Sequence, residues 1–292
     1  MRAVRRLQST MATRTKLVYQ DRQELREYIS KVISINPVST LPESDQSLIK
    51  EPSEDDHVLI TDETIFYVQG GGQPTDTGTI HSTAEEDSKP TFEVQSVRHP
   101  AEGGHILHFG RFNPPGSKAF SAGEEIKQSI DAEKRELYSR LHTAGHVLGF
   151  AINQLSREGV LPKLTESKAS HYPDSAAVEF GGLIDGKHKA AIQAKTDEFV
   201  AGAAPVRIHY WPLEELKKKC TGAEDFVLPE GEELGRVVEM EGMGSYPCGG
   251  THSSIKRFRE AVQVGVPKIV GAGGDPDAPV YMATSREVTP HE

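Results

Sequence analysis

The stretch LHTAGHVL, residues 141–148, decides the fold of the second half of this 292-residue chain. Around it, apolar residues recur three and four positions apart, which is the period of one face of an amphipathic helix. Asp131 suits the start of this helix, because acidic side chains stabilise a helix N-terminus, and Gly159 suits its end. The pattern therefore predicts a helix with one buried face. Its apolar positions are Leu137, Leu141, Ala144, Leu148, Ala151 and Leu155.

Two histidines lie beside this apolar stripe. His142 and His146 are four residues apart, so their Cβ atoms lie roughly 5–6 Å apart on one face of the helix. Cys248 and His252 repeat that spacing in the stretch PCGGTH, residues 247–252, where two glycines allow a tight turn. Three imidazoles and one thiolate form a soft, roughly tetrahedral donor set that favours Zn²⁺. Either pair alone occurs often by chance, but together they predict a zinc site.

Composition restricts the class of protein. Hydrophobic residues make up 36% and charged residues 26% of the chain, as is typical of a soluble globular protein, and the length favours two domains. No apolar run approaches the roughly 20 residues of a membrane helix, so we expect no membrane partner. The only cysteines, Cys220 and Cys248, indicate a reducing compartment. A net charge of −10 argues against nucleic-acid binding by bulk electrostatics, so such a partner would need a local basic patch.

Patterning divides the chain into three parts. Residues 1–14 are expected to form a disordered tail or a targeting segment, because residues 1–16 are basic and hydroxyl-rich and contain no acid. We expect a cytoplasmic protein, with a mitochondrial form if Met1 is the true start. Residues 15–127 form a predicted β-rich N-terminal domain, and residues 128–292 a predicted α+β domain.

Local patterns give the individual elements. Residues 58–67 predict a hairpin, while the acidic stretch 36–57 predicts a solvated insertion. His99, His105 and His108 are interpreted as strand-surface residues. Further predicted strands span residues 92–97, 105–109, 177–180, 235–240 and a final pair that ends at 280–282, and further predicted helices span residues 187–201 and 213–220.

A glycine-rich loop follows the predicted hairpin, with the sequence GGGQPTDTG at residues 70–78. Its glycines expose consecutive amides and accept positive φ, so the loop could approach a phosphate or another ligand closely. It lacks the Lys-Ser/Thr ending of a P-loop and does not open a helix as G-x-G-x-x-G does, and a tight β-turn is the alternative interpretation. The candidate binding residues are Gly70, Gly71, Gly72, Gln73 and Asp76.

Three motifs in this order resemble the AlaX family of free-standing alanyl-tRNA editing proteins. They are F-Y-x-x-G-G-G-Q-P-x-D-x-G at residues 66–78, H-T-A-x-H at 142–146 and C-G-G-T-H at 248–252. That family is related to the editing domain of alanyl-tRNA synthetase and to the second additional domain of threonyl-tRNA synthetase. The resemblance covers about residues 15–255. It implies an α+β fold, in which a small N-terminal β-barrel-like domain precedes an α+β editing domain with zinc at His142, His146, Cys248 and His252.

The implied activity is zinc-dependent hydrolysis of the ester in mischarged Ser-tRNA(Ala), and also of Gly-tRNA(Ala), with the acceptor end of the aminoacylated tRNA as partner. Such editing is needed because a pocket built for alanine cannot strongly reject an analogue that only adds a hydroxyl. The resemblance assigns catalysis to His142, His146 and Cys248, and by position Thr165 or Ser167 would bond the serine hydroxyl. The acidic stretch 271–279 departs from the basic tail of relatives, for which Lys256, Arg257, Arg259 and Lys268 would compensate.

The number of protein ligands is a difficulty for this hydrolase. A catalytic zinc usually keeps one coordination position open, whereas four protein ligands close the site. Either His252 is a loose ligand, or zinc expands to five-coordination, or zinc only positions the substrate. A non-catalytic, zinc-stabilised tRNA-binding module would keep the same ligands. A metalloprotease is disfavoured, because Thr143 stands where the H-E-x-x-H motif needs a glutamate.

Overall fold

The computed structural model describes residues 14–84, 90–102, 104–229 and 231–256, together with the backbone of residues 265–270 and 280–285. The chain divides into two compact units. The first unit comprises Met1–Gln69 and Thr75–Asp131, and the second comprises Gly70–Pro74 and Ala132–Glu292. Five residues of the glycine-rich loop therefore group with the second unit, although both flanking segments group with the first. The expected tail or targeting segment, apart from Arg14, lies outside the described residues.

The first unit is a closed antiparallel barrel of six strands, so the expected barrel-like N-terminal domain is confirmed. Around the barrel the strand order is β2-β3-β7-β6-β5-β8, and the short strands β1 and β4 pair in parallel beside it. The strands of this unit are β1 (Lys16–Leu17), β2 (Glu27–Pro37), β3 (His57–Thr61), β4 (Glu63–Thr64), β5 (Gly78–Ser82), β6 (Thr91–Arg98), β7 (Leu107–Asn113) and β8 (Glu125–Ile130).

The hairpin predicted over residues 58–67 is wrong. Strand β3 pairs with β2 and β7, and β4 pairs with β1. The chain then enters the barrel core, where Ile65, Phe66 and Tyr67 are all buried. Backbone amides of this segment donate to side chains and not to a neighbouring strand. The amide of Ile65 donates to Gln128, and the amide of Tyr67 donates to Asp76. These bonds satisfy the buried backbone without strand pairing.

The acidic stretch 36–57 is also not the solvated insertion that its composition predicts. It forms a 3₁₀ turn (Val38–Thr40) and the short helix α1 (Glu43–Gln46). Apolar side chains of this segment pack over the outside of strands β3 and β7, which buries β7 on both faces. The contacting residues are Leu41, Leu48 and Ile49 on the segment and Val58, Leu107 and Phe109 on the strands.

His108 alternates with Leu107 and Phe109 along β7 and is fully buried. The expectation that it lies on a strand surface is therefore wrong, because both faces of β7 are covered. His99 is exposed and His105 is half-buried.

The second unit contains the predicted helix, α2 (Ala132–Arg157), and two antiparallel sheets. One sheet has the order β14-β15-β10-β9 and the other the order β11-β12-β13. The remaining elements are β9 (Thr165–Ser170), β10 (Ala177–Gly181), a 3₁₀ turn (Gly186–His188), α3 (Lys189–Gly202), β11 (Val206–Pro212), α4 (Leu213–Lys219), β12 (Leu234–Met240), β13 (Gly244–Pro247), β14 (Gly265–Val270) and β15 (Val280–Ser285). The expected α+β class is confirmed.

Helix α2 packs against both sheets and so carries the core of this unit. On one side Leu148 and Ile152 share a hydrophobic cluster with Phe180 of β10, and on the other Val147 and Phe150 join a cluster with β12 and β13. Apolar burial of this kind on two sides fixes the helix, with its histidines, relative to both sheets. Within the described ranges, no helix has the length and apolar character required to cross a membrane.

Candidate functional site

The four side chains predicted to bind zinc converge at one point. His142 and His146 come from α2, and Cys248 and His252 from the turn after β13, with one donor atom of each within 4.8 Å of all the others. Cys248 Sγ lies 3.4 Å from His142 Nε2 and 3.9 Å from His252 Nε2. Zinc bonds of about 2.0–2.3 Å in a tetrahedron separate neighbouring donors by roughly 3.3–3.6 Å. The shorter of the two separations matches this geometry, and the chemistry of the donor set is compatible with zinc.

Glycine lets the turn approach the helix this closely. A Cβ atom on Gly250 would lie 2.2 Å from His142 Cε1, a distance that no larger residue could tolerate. The amide of Gly250 also donates to Cys248 Sγ at 3.4 Å. Gly250 therefore allows the turn to pack closely against His142 and also donates a hydrogen bond to the Cys248 sulfur.

Burial keeps the imidazoles neutral. Loss of water lowers the pKa of His142 and of His252 well below 6.5 and that of His146 to about 3, with neighbouring positive charge adding to the effect. A neutral imidazole keeps the lone pair that a metal ligand needs. Burial raises the pKa of the Cys248 thiol, while the Gly250 amide and the positive charge of Arg236 oppose that rise. A bound cation would act in the same direction as Arg236.

Gln73 of the glycine-rich loop orients His142. Its Oε1 accepts from the amide of Thr251 at 3.1 Å and lies 2.7 Å from His142 Nδ1. Its Nε2 donates to Thr251 Oγ1 at 2.8 Å. Because the Thr251 amide can only donate, the atom beside it is the carbonyl oxygen, and His142 Nδ1 must carry the proton. The lone pair of Nε2 then faces Cys248.

The glycines of the loop shape its backbone. Gly71 and Gly72 have positive φ values of 52° and 79°, and the amide of Gln73 donates to the Gly70 carbonyl, which closes a tight turn. A Cβ on Gly72 would lie 2.3 Å from a carbonyl oxygen of β9. Asp76 belongs to the first unit, where its carboxylate accepts from the Tyr67 amide. Of the five loop candidates, only Gln73 presents its side chain to the cluster.

Among the hydrogen bonds of the described residues, none joins Thr165 or Ser167 to the four donors. Both are exposed on β9, and Ser167 Oγ donates to the Glu179 carbonyl of the neighbouring strand at 3.3 Å. Thr165 pairs with Gly181 at the end of the strand pair.

Sequence reasoning missed a fourth histidine beside the cluster. The buried His171 ring stacks on that of His142, with ring centroids 4.2 Å apart and planes at 21°. Its amide donates to the Gly72 carbonyl, and burial lowers the pKa of its side chain to about 4. A Cβ on Gly145 would lie 2.5 Å from the His171 ring. A glycine inside a helix costs stability, so Gly145 was the available signal of a close neighbour.

A tyrosine, a glutamate and an arginine were missed as well. The Tyr246 ring lies 4.7 Å from that of His146, and its hydroxyl donates to Glu166 Oε2 at 2.7 Å. A second helix glycine, Gly149, makes room for both groups. Arg236 donates to the Cys248 carbonyl. These partners lie on strands that are distant in sequence, and Gly149 was the only sequence signal that indicated them.

Comparison with known proteins gives two kinds of relative. The family model for class II (A) tRNA synthetases matches residues 2–134. The alanyl-tRNA editing protein AlaX-M of Methanosarcina barkeri is 28% identical over 76% of this chain and 87% of its own length. AlaX-L of Pyrococcus horikoshii is 27% identical over 79% of this chain and 52% of its own length. The alanine–tRNA ligase of Haloquadratum walsbyi is 32% identical over 74% of this chain, which spans only 23% of that ligase.

The extent of the match separates these relatives. The chain covers most of AlaX-M but about a quarter of the ligases. Over about three quarters of its length, this chain is therefore similar to proteins named as alanyl-tRNA editing proteins.

Proposed function

We propose that this chain hydrolyses the ester of mischarged Ser-tRNA(Ala), with Gly-tRNA(Ala) as a second substrate, and that its four-donor cluster binds Zn²⁺. The observation that carries the proposal is the convergence of His142, His146, Cys248 and His252 with Gln73 in one buried site. Similarity to proteins named for alanyl-tRNA editing supplies the substrate class. The residues proposed for catalysis are His142, His146 and Cys248.

The reaction is an acyl–oxygen cleavage by water. The water oxygen forms a bond to the ester carbonyl carbon, the bond to the ribose oxygen breaks, and the tRNA hydroxyl leaves with a proton. When bound, Zn²⁺ would supply Lewis-acid polarisation or hold the aminoacyl end in place. The chain's own groups prepare the site: Gln73 fixes the tautomer of His142, and Gly250 and Arg236 favour the thiolate of Cys248.

One observation favours the second candidate, a zinc-stabilised module that binds tRNA without hydrolysis. Four protein donors lie within reach of a single ion, which is the arrangement of structural zinc sites. The two candidates share the metal and the partner, and they differ only in turnover.

Deacylation assays with Ser-, Gly- and Ala-tRNA(Ala) test the proposal. We expect hydrolysis of the seryl ester, little hydrolysis of the alanyl ester, and at least a hundredfold loss in His142→Ala. The matched control is His209→Ala, because His209 lies in the same unit but bonds Glu239 at 2.7 Å rather than the cluster. Retained activity in His142→Ala would overturn the catalytic role, and tRNA binding without any turnover would establish the module instead.

A further inference from the structure

A β-bulge turns Glu166 toward α2. Residues three apart in a regular strand face opposite sides of the sheet, yet Glu166 and Ala169 pair with Phe180 and Val178, which share one buried face of β10. The register shift leaves Ser167 as the extra residue of β9. The pairs across the strands are Thr165 with Gly181, Glu166 with Phe180, Lys168 with Glu179, and Ala169 with Val178. Bulges often re-aim a side chain beside an active site.

The Glu166 carboxyl group lies one side chain away from the proposed metal ligands. Its Oε2 accepts from the Tyr246 hydroxyl at 2.7 Å, and the Tyr246 ring packs on that of His146. Asn153 of α2 donates to the same hydroxyl at 3.3 Å. A Cβ on Gly149 would lie 2.8 Å from Glu166 Oε2, so the glycine admits the carboxylate to the helix surface.

No counter-ion for this carboxylate lies among the residues that the structure describes. Among the side chains that the structure describes, Tyr246 supplies its hydrogen bond, and no lysine, arginine or histidine forms an ion pair with it. Burial accordingly raises the pKa of Glu166. A half-buried carboxylate without a cation costs free energy that a positively charged ligand would recover. A neutral hydroxyl would satisfy an oxygen atom but not the charge.

We propose that Glu166, held by Tyr246, binds the α-ammonium group of the aminoacyl ester. This inference rests on the proposed function and names the part of the substrate that this side of the site holds. An ammonium N–H donates to the free carboxylate oxygen, while Tyr246 keeps the other oxygen in place. Because seryl, glycyl and alanyl esters all carry this group, Glu166 anchors the amino acid and does not itself select serine.

Binding of two stable analogues tests the assignment. One is the seryl amide of 3′-amino-3′-deoxyadenosine, and the other is its glyceryl counterpart, in which a hydroxyl replaces the ammonium. We expect the wild-type protein to bind the charged analogue about ten to a hundred times more tightly, as is usual for a hydrogen bond between charged groups. In Glu166→Gln that preference should fall to about one, while affinity for the glyceryl analogue stays the same.

The matched control is Glu179→Gln, which removes a carboxylate from the other face of the same strand pair and should keep the full preference. An undiminished preference in Glu166→Gln would overturn the inference. If that variant does not fold, the wild-type ratio decides, since equal binding of both analogues also overturns it. Wild-type hydrolysis of Ser-tRNA(Ala) is measured in parallel, because its absence would refute the proposed function and this inference together, whereas turnover without an analogue preference refutes the inference alone.

Discussion

The two units each bury a histidine beside a buried amide or hydroxyl, but the ring nitrogens meet different partners. In the barrel, His108 Nδ1 lies 3.0 Å from the Leu59 carbonyl and Nε2 lies 2.8 Å from Thr64 Oγ1. Both nitrogens are therefore satisfied by the protein. In the second unit, Gln73 satisfies only Nδ1 of His142, and Nε2 faces a thiol and two further imidazoles.

Burial alone does not distinguish these two environments. It lowers the pKa of His108 to about 4, and it also lowers the pKa of His142. The two environments differ in whether the ring nitrogens converge on other metal-binding donors. Nitrogens that hydrogen-bond to the protein form a structural network. Nitrogens that point at other donors need a cation between them. The predictions below test that distinction.

The largest expected effect comes from removing the thiol. Cys248→Ala should abolish stoichiometric zinc binding and, with it, the stability that zinc supplies, which is about 4 kcal/mol at a thousand times the Kd. Metal analysis of the purified protein and thermal unfolding with and without a chelator measure both quantities.

Cys220 provides the matched control, because it is the other cysteine, lies in the same unit and packs in an apolar cluster with Leu216 and Val237. Cys220→Ala should lose some packing energy and keep its zinc. Equal zinc content in the two variants would contradict the assignment of Cys248 as a ligand.

The next largest effect is the dependence of barrel stability on pH, which His108 causes. The pKa of His108 is about 4 in the folded protein and about 6.5 when unfolded. Below pH 6.5 the unfolded chain binds a proton that the folded barrel excludes, so stability falls as pH drops and the loss levels off near pH 4. The full loss is about 3 kcal/mol.

His108→Asn removes this titration and keeps a short amide in the network. Denaturant unfolding from pH 7 to pH 4 should show a shallower pH slope in the variant than in the wild type, even if its stability at pH 7 is lower. Identical slopes would mean that His108 does not contribute, since groups common to both proteins cancel in the comparison.

The same contrast explains what the sequence could reveal. Helix α2 and the four donors were predictable because their signals are local: a 3.6-residue period and two four-residue spacings. The partners of those donors were not. Gln73 lies 69 positions before His142, and Tyr246 approaches His146 from another sheet, so no local pattern records either contact.

Within the correctly predicted barrel, His108 and segment 36–57 were misinterpreted for a different physical reason. Alternation in a strand locates the core only if the other face meets water. Segment 36–57 covers the outer face of β7, so Leu107 and Phe109 are buried outside the barrel wall while His108 is buried too. Because that segment is acidic overall, its composition did not reveal the apolar side chains that cover β7.

The smallest expected effect compares two buried amides. Gln73 and Gln128 are both fully buried, but the described hydrogen bonds of Gln128 go to groups of the first unit, including the Ile65 amide and Ser30 Oγ. Gln73→Leu leaves the proton of His142 Nδ1 without its acceptor, which frees the ring orientation and tautomer. Loss of such a ligand-orienting group typically weakens metal binding 10- to 100-fold, or about 1.4–2.7 kcal/mol.

Zinc titration of both leucine variants isolates this effect. Gln128→Leu should lower the free energy of unfolding, because buried donors and acceptors lose their hydrogen-bond partner. It should leave the zinc Kd unchanged. Gln73→Leu should raise the Kd even under conditions where the protein stays folded. A similar Kd shift in both variants would attribute the effect to general destabilisation, and an unchanged Kd in Gln73→Leu would show that packing against Gly250 and His171, rather than the amide, holds the His142 ring in place.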